Sequence, residues 1–236
     1  MPEAILNELD REQKRAELEQ RIQALDYLID RQLKPEINRR RFEGSLLEFT
    51  KAGWRWVEPS PFCTNWHIEC MCEHFEAVAH RQILRLLINV PPRHSKSLGL
   101  NVFFPAWVWA QDPDPTRKHP ERAIREESWL GPGVRFAYIS YDAELSTNHS
   151  IKCRQLIESP WYQEIWHDRF HLTQNLKTHY DNNRGGERKS GTIHGMTGFG
   201  ANILGFDDPH DLQNVESDTK RKTSATQDSV DISYGS

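Results

Sequence analysis

The sequence predicts an α/β fold in which helices flank a mostly parallel sheet. Three short apolar runs, at 84–90, 135–141 and 202–206, have the length and composition of buried strands. The first two runs are each followed by a helical pattern, at 95–110 and at 142–158. An alternation of strand and helix is typical of a layered α/β sheet, because the helices cross over to return the chain to the same sheet edge.

Size and composition limit what this fold can include. The chain has 236 residues, enough for one α/β domain with an appendage but too few for two domains of ordinary size. The hydrophobic fraction of 37% is low and suggests exposed helix or tail around a smaller core. A net charge of −4 argues against passive nucleic-acid binding through a strongly basic surface, although a few local Lys and Arg residues can still contact DNA.

The cellular location is predicted from what the chain does not contain. The first residues, MPEAILNELDREQ, have neither the basic nor the apolar region of a secretory signal. No run approaches the length of a membrane span. We therefore expect a soluble cytoplasmic protein, without membrane contact, whose four cysteines are reduced.

Residues 3–34 are predicted to be helical. Leu18, Ile22, Leu25 and Ile29 recur at a 4-3-4 spacing among charged residues. This stripe allows two interpretations, a short coiled coil or docking helix for a partner, and a helix packed on its own domain. Because the stripe lasts for less than three heptads, the second interpretation is favoured.

The remaining elements are shorter. Helices are predicted at 43–53 and 66–79. The stretch 111–133 is rich in proline and charge, as in a long surface insertion. Residues 176–182 and 187–194 have the pattern of an antiparallel hairpin.

The chain therefore divides into a helical extension at 1–42, a domain at 43–212 and a polar tail at 213–236. The tail has almost no large apolar residues and is expected to be disordered. A nuclease that uses two metal ions needs carboxylates held in fixed positions, so that the two ions lie about 4 Å apart. Since the acids of the tail have no strands to hold them, we expect that the chain does not cut DNA.

The segment Val90–Ser97, VPPRHSKS, follows a predicted strand and opens a predicted helix. In a phosphate-binding loop of this kind, backbone N–H groups face the phosphates, a lysine such as Lys96 neutralises charge, and a serine such as Ser97 binds magnesium. The usual pattern, G-x-x-x-x-G-K-[ST], has glycine where this chain has Val90 and Ser95. An ordinary strand–turn–helix junction therefore remains an alternative.

A second motif, Asp207-Asp208, follows the last predicted strand, which Gly205 interrupts. In nucleotide-hydrolysing enzymes the first such acid coordinates magnesium and the second orients the attacking water. A plain turn is the alternative, because Asp and Pro are common in turns. The two motifs support each other, since a strand–helix unit separates them in the order typical of a nucleotide-hydrolysing sheet.

Four segments together resemble the large terminase subunits of bacteriophages. In chain order they are PFCTNWHIECMCEHFEAV, LRLLINVPPRHSKS, FAYISYDAELS with KCRQLIESPWYQ, and GFGANILGFDDPHD. The resemblance covers residues 45–221, and glycine-poor loops of the form PPRHxKS are usual in this family. It implies a P-loop NTPase of the additional-strand class that uses ATP and Mg²⁺ to move double-stranded viral DNA into a procapsid.

The resemblance also implies partners and a larger architecture. Terminases act as homo-oligomeric rings on the portal protein in the host cytoplasm, transiently on the procapsid, and a small terminase subunit recognises the viral DNA. The family continues with a coupling strand and a C-terminal nuclease, whereas the resemblance stops near Lys220-Arg221. We therefore expect a truncated ATPase part without nuclease activity.

Site residues follow from the resemblance position by position. Lys96 would contact the β- and γ-phosphates, Ser97 and Asp207 would ligate magnesium, Asp208 would act on water, and Arg93 would sense the γ-phosphate. The full set assigned to the nucleotide is Trp66, His67, Pro92, Arg93, His94, Ser95, Lys96 and Ser97. The upstream tryptophan of this set could stack on the base or belong to the core.

Other functions are considered beside this one. A catalytically impaired fragment that binds nucleotide or a partner is one alternative, and a helicase-like ATPase, without further helicase motifs to support it, is another. Cys70 and His74 could share a zinc ion but lack a second pair of ligands. Cys153 with His149 lacks the third group of a cysteine nucleophile.

Overall fold

The computed structural model describes residues 3–91, 93–112, 129–196 and 198–208. The helices are α1 (Glu3–Leu28), α2 (Lys34–Glu43), α3 (Leu46–Gly53), α4 (Trp66–Ala79), α5 (Lys96–Leu98), α6 (Phe104–Ala110), α7 (Ala143–Glu158) and α8 (Pro160–Trp166). The strands are β1 (Arg135–Ser140), β2 (Leu172–Asn175), β3 (His179–Asn182), β4 (Glu187–Gly191) and β5 (Ile203–Asp207). Turns of π-helix at Ile29–Leu33 and Gly99–Phe103 join α1 to α2 and α5 to α6.

The five strands form one mixed sheet in the order β2-β3-β4-β1-β5. β1 is parallel to both β4 and β5, whereas β3 is antiparallel to both β2 and β4. The predicted fold class, a mostly parallel P-loop NTPase sheet of the additional-strand class, is therefore wrong. Half of the strand pairs are antiparallel, because the polar hairpin of β3 and β4 joins the sheet beside β1.

The predicted strand at 84–90 is also wrong, because this segment forms no strand. Some of its apolar side chains contact the core and others are exposed to solvent. Leu86 and Ile88 pack partly against the core, whereas Leu84 is 66% and Leu87 93% exposed. One side of this run is thus left uncovered, and the segment lies against the core without pairing to another strand.

Most other predicted elements are confirmed. The helices predicted at 66–79, 95–110 and 142–158 are present, the second interrupted by its π-helical turn. Strands form at both of the later apolar runs, and the hairpin predicted around 183–186 is formed by β3 and β4. The start of α7 is fixed by Asp142, whose side chain accepts hydrogen bonds from the N–H groups of Glu144 and Leu145.

The core lies between one face of the sheet and the helices. α6, whose sequence is FPAWVWA, is buried along its whole length. Its aromatic N–H groups find backbone acceptors, since Trp107 Nε1 donates to the Phe42 carbonyl at 2.9 Å and Trp109 Nε1 to the Val134 carbonyl at 2.8 Å. The opposite face of β1 has a lighter cover, a small cluster in which Met196 packs.

Gly205 interrupts β5 for a reason that the structure makes clear. It lies opposite Tyr138 of β1, and a Cβ at this position would lie 2.6 Å from the Tyr138 ring. The strand therefore needs glycine in order to pair beside a buried tyrosine. This close pairing places the end of β5, with Asp207, next to the end of β1.

The predicted extension is attached to the domain through α2. Phe42 is buried, and Arg39 donates to the Ile165 carbonyl at 2.9 Å and to Asp168 at 3.1 Å. The tail at 213–236 and most of the insertion at 111–133 lie outside the described residues. Among the described helices, none is both long enough and apolar enough to cross a membrane.

Candidate nucleotide site

The two predicted motifs meet in the folded chain. Lys96 Nζ donates a hydrogen bond to Asp208 Oδ1 at 2.6 Å and lies 3.4 Å from Asp207 Oδ1. The hydrogen-bonded pair is separated by 112 positions in the sequence. The first helical turn after the loop and the carboxyl end of β5 therefore form one cluster of a lysine and two acids.

Asp207 is the buried member of this cluster, at 3% exposure. Its Oδ2 accepts a hydrogen bond from Asn101 Nδ2 at 2.8 Å, and His149 Nδ1 lies 4.0 Å from the same oxygen. Its Oδ1 accepts no hydrogen bond within the described structure, and Lys96 is the cation beside it. A buried carboxylate oxygen without a donor is costly, and it is also the kind of ligand that Mg²⁺ prefers.

These residues fit magnesium in the manner of nucleotide-dependent enzymes. No group of three potential metal ligands occurs among the described residues. Mg²⁺ is commonly bound through only one or two protein oxygens together with water and substrate phosphates. Asp207 Oδ1 and the Ser97 hydroxyl, in the helical turn that begins with Lys96, are the oxygens that would hold it.

The charge of Lys96 depends on its two acids. Burial is the largest influence on the pKa of Lys96 and lowers it, but the hydrogen bond to Asp208 and the charges of Asp207 and Asp208 together raise it above its ordinary value. The ammonium is therefore fully charged at neutral pH. A phosphate that enters the site would meet a cation that already has two anionic partners.

The backbone of the site departs from the common conformations. Positive φ angles occur at Arg93 (65°), Ser95 (60°) and Asp208 (46°), and among the described non-glycine residues only Arg81 shares this property. Ser95 occupies the second glycine position of the usual loop pattern. A left-handed conformation without glycine costs roughly 1–2 kcal/mol. Ser95 thus adopts a conformation that glycine would adopt without strain. Backbone strain at a residue other than glycine is typical of functional sites.

The predicted loop residues differ in exposure. Arg93 and His94 are exposed, whereas Ser95, Lys96 and Ser97 are partly buried, and Pro92 lies outside the described residues. The ring of His94 donates from Nδ1 to the Pro91 carbonyl at 3.1 Å. Arg93 thus lies outside the core, on the same loop as Lys96.

The upstream aromatic pair lies beside the loop. The rings of His67 and His94 are 5.2 Å apart in an edge-to-face arrangement, and Trp66 packs edge-on to His67 at 6.1 Å. Trp66 is 75% exposed, which excludes the interpretation that it is a core residue. An exposed indole at the start of α4 is available to stack on a flat ring.

Two residues of the cluster, Asn101 and His149, were not predicted to belong to it. Asn101 lies in the π-helical turn Gly99–Phe103 and is the polar residue in an otherwise apolar run, LGLNVFFPAWVWA. That isolation was a usable signal, because a buried amide must find hydrogen-bond partners. Burial lowers the pKa of His149 as the largest influence, and Asp207 only partly offsets this, so the imidazole is neutral at neutral pH.

The alternative sites find little support in the described residues. His74 Nδ1 donates to the Cys70 carbonyl at 2.7 Å and lies 3.6 Å from the Cys70 thiol, without further ligands nearby. Cys153 is fully buried, and burial raises the pKa of its thiol. A thiol that stays protonated is a poor nucleophile.

Comparisons with known proteins leave the family undetermined. No protein-family model matches this chain, and neither a curated protein nor a solved structure shows significant similarity to it. The terminase resemblance of the four segments therefore remains a prediction.

Proposed function

We propose that this chain binds and hydrolyses ATP with Mg²⁺ and acts as the motor domain of a phage DNA-packaging terminase. The convergence of Lys96 with Asp207 and Asp208 is the observation that supports the proposal. It joins a phosphate-binding cation, a buried magnesium ligand and an exposed acid, the three groups that phosphoryl transfer to water requires. Magnesium, when bound, neutralises charge on the β- and γ-phosphates.

Each residue has a distinct part in this reaction. Lys96 moves its hydrogen bond from Asp208 to the phosphates, whose anionic oxygens also accept from a charged donor. Asp208, which is exposed, is released by this exchange and accepts the proton of the attacking water. Asp207 stays in place because Asn101 holds its second oxygen. The ion pair between Lys96 and Asp208 thus keeps the acid occupied until nucleotide arrives.

The resemblance of the four segments supports the larger assignment. A terminase motor would move double-stranded viral DNA, act as a homo-oligomeric ring with the portal protein and the small terminase subunit, and work in the host cytoplasm on the procapsid. The net charge of −4 agrees with a motor that contacts DNA at a few positions, and not with a protein coated by basic residues.

A second candidate function is a module that binds nucleotide or a partner without turnover. The absence of a strand at 84–90 favours it, because the loop then lacks a paired strand to fix its start. The two candidates differ in one measurable respect. The motor domain binds and hydrolyses ATP, whereas the module binds it at most.

The test is an ATPase assay of the purified chain with and without Mg²⁺. We expect Mg²⁺-dependent turnover that Lys96→Ala reduces by at least about 100-fold, since electrostatic groups at a transferring phosphate contribute on this scale. Lys51→Ala is the matched control, because Lys51 pairs with Glu48 away from the site. Turnover by the lysine variant at the parent rate would show that the loop is misassigned. Binding without turnover in the parent would favour the second candidate.

A further inference from the structure

The apolar stripe of α1 is not explained by the proposed function. Every side chain that the structure describes in α1 is exposed. The stripe residues Leu18, Ile22 and Leu25 are 59%, 53% and 57% exposed, and Ile29, which begins the π-helical turn after α1, is 42% exposed. The favoured interpretation of the sequence, a helix packed on its own domain, is therefore wrong. An exposed row of large apolar side chains along one helix is typical of an interaction surface.

The helix that bears this stripe continues into a helix that is anchored to the domain. α2 is fixed to the domain by buried Phe42 and by the hydrogen bonds of Arg39. The backbone remains helical from α1 through the π-turn into α2, with Leu28 and Lys34 both in the right-handed helical region. α1 is thus a continuation of an anchored helix, and its apolar stripe is exposed.

The residue types of the stripe select a particular partner geometry. With a 4-3-4 spacing, Ile22 and Ile29 occupy the a positions of a heptad, and Leu18 and Leu25 occupy the d positions. β-branched residues at a with leucine at d favour parallel, two-stranded coiled coils. The apolar seam alone therefore suits a second helix of the same kind.

The flanking charges identify that second helix. Lys14 and Arg21 fall at g positions, and Glu19 and Asp26 fall at e positions. In a parallel pair, a g residue faces the e residue of the following heptad on the other helix. Arg21 then faces Asp26, and Lys14 faces Glu19, each pair of opposite charge. An antiparallel pair with the two stripes in register would instead place the acids Glu19 and Asp26 opposite each other and Arg21 opposite Leu28.

We propose that α1 forms a parallel two-stranded coiled coil with α1 of a second copy of this chain. The seam spans only Leu18 to Ile29, about 16 Å of helix at 1.5 Å per residue. The association is therefore weak and depends on protein concentration, and it does not rest on the proposed enzymatic activity.

Sedimentation equilibrium of the full chain, over about two orders of magnitude in concentration, tests the proposal. We expect a reversible monomer–dimer equilibrium in the parent. Ile22→Asp should raise the dimer dissociation constant at least tenfold, or about 1.4 kcal/mol. Ala24→Asp, the same added charge on the outer face of α1, should leave it nearly unchanged. A parent that is monomeric throughout, or equal effects of the two variants, would overturn the proposal.

Charge exchange tests the parallel orientation. Arg21→Glu and Asp26→Lys should each weaken the dimer, because each places like charges opposite one another. The double variant R21E/D26K should restore it. In that antiparallel pair, Arg21→Glu would change no charge pair, and Asp26→Lys would replace the repulsion between Glu19 and Asp26 by attraction. Neither single change would then weaken the dimer. Failure of the double variant to restore association would therefore refute the parallel arrangement.

Discussion

The two halves of the candidate site are held in different ways. Asp207 is 3% exposed and is tied to Asn101, at the end of a strand paired along its length with β1. Across the site, Arg93 and His94 are exposed, and the loop turns through a left-handed backbone at Ser95. The fold itself therefore positions Asp207, whereas the loop has fewer constraints and, like Asp208, includes a left-handed backbone. We expect the acids to be prearranged and the loop to complete its order when a phosphate binds.

The largest expected effects are those of replacing Asp207 and Asp208, and they should differ in kind. Asp207→Asn places an amide where the donor-free oxygen now faces Lys96, and so should weaken Mg²⁺-dependent ATP binding by at least tenfold, about 1.4 kcal/mol. Asp208→Asn should slow hydrolysis by about 100-fold or more and leave binding largely intact, because this acid acts on water. Nucleotide titration and turnover at saturating ATP measure the two effects separately.

This division of roles has a clear contrary result. If both asparagine variants reduced nucleotide affinity equally, then Asp207 and Asp208 would share one task, and the contrast between a buried ligand and an exposed base would fail. Asp181→Asn, in β3 and remote from Lys96, serves as the control for a general loss of an acid.

The next prediction concerns Asn101, which donates a hydrogen bond to the buried Asp207. Asn101→Leu removes the hydrogen bond to Asp207 Oδ2 and leaves a buried carboxylate without a donor on either oxygen. A loss of about 1–3 kcal/mol in the free energy of unfolding is expected for an unsatisfied buried group. Asn148→Leu makes the same change at an exposed position of α7 and should alter stability by less than about 0.5 kcal/mol. Chemical denaturation measures both, and an equal stability of the two variants would mean that Asn101 does not hold the acid.

The strands of the sheet differ in how well the sequence predicts them. β1 and β5 were predictable because apolar runs of strand length have few alternatives, and the acids at the end of β5 followed directly. β4, with the sequence ERKSG, was predicted only as part of a polar hairpin, and no apolar run indicated its central place in the sheet, although Arg188 within it is fully buried. Its guanidinium lies over the Tyr138 ring at 4.7 Å and donates to the Ser190 hydroxyl and the Asn101 carbonyl. Nothing in a polar pentapeptide indicates that aromatic rings and a backbone carbonyl will surround its arginine.

At 84–90 the sequence predicted a strand that does not form. An apolar run predicts a strand only if another strand lies beside it, and pairing between distant segments is not encoded in local composition. The position of Lys96 and Ser97 at the start of a helix could be predicted from the pattern of the residues that follow them. The left-handed backbone at Ser95 could not, because serine has no preference for that conformation.

A smaller effect should appear in the dependence of stability on pH. Burial lowers the pKa of His149 below the value of about 6.5 for an unfolded histidine. Between these two values the unfolded chain binds more protons than the native protein, so stability increases with pH in this window and is lost as the pH falls. His149→Gln should therefore flatten the pH dependence just below about pH 6.5. His171→Gln, at an exposed position, should retain the slope of the parent, and a parent-like slope in the His149 variant would contradict the assignment.

The smallest effect tests the strain of the loop half. Ser95 precedes the first helical turn but makes no capping hydrogen bond through its side chain, so Ser95→Ala should change stability little. Ser95→Gly removes the Cβ that disfavours a φ of 60°. Relief of roughly 1 kcal/mol or more is offset in part by the greater entropy of glycine in the unfolded chain, so we expect the glycine variant to be more stable than the alanine variant by somewhat less than 1 kcal/mol. Thermal and denaturant unfolding of the matched pair measure this difference. Equal stability of the glycine and alanine variants would mean that the loop is not strained at Ser95, and the contrast between the two halves would then rest on the burial of Asp207 and the exposure of the loop.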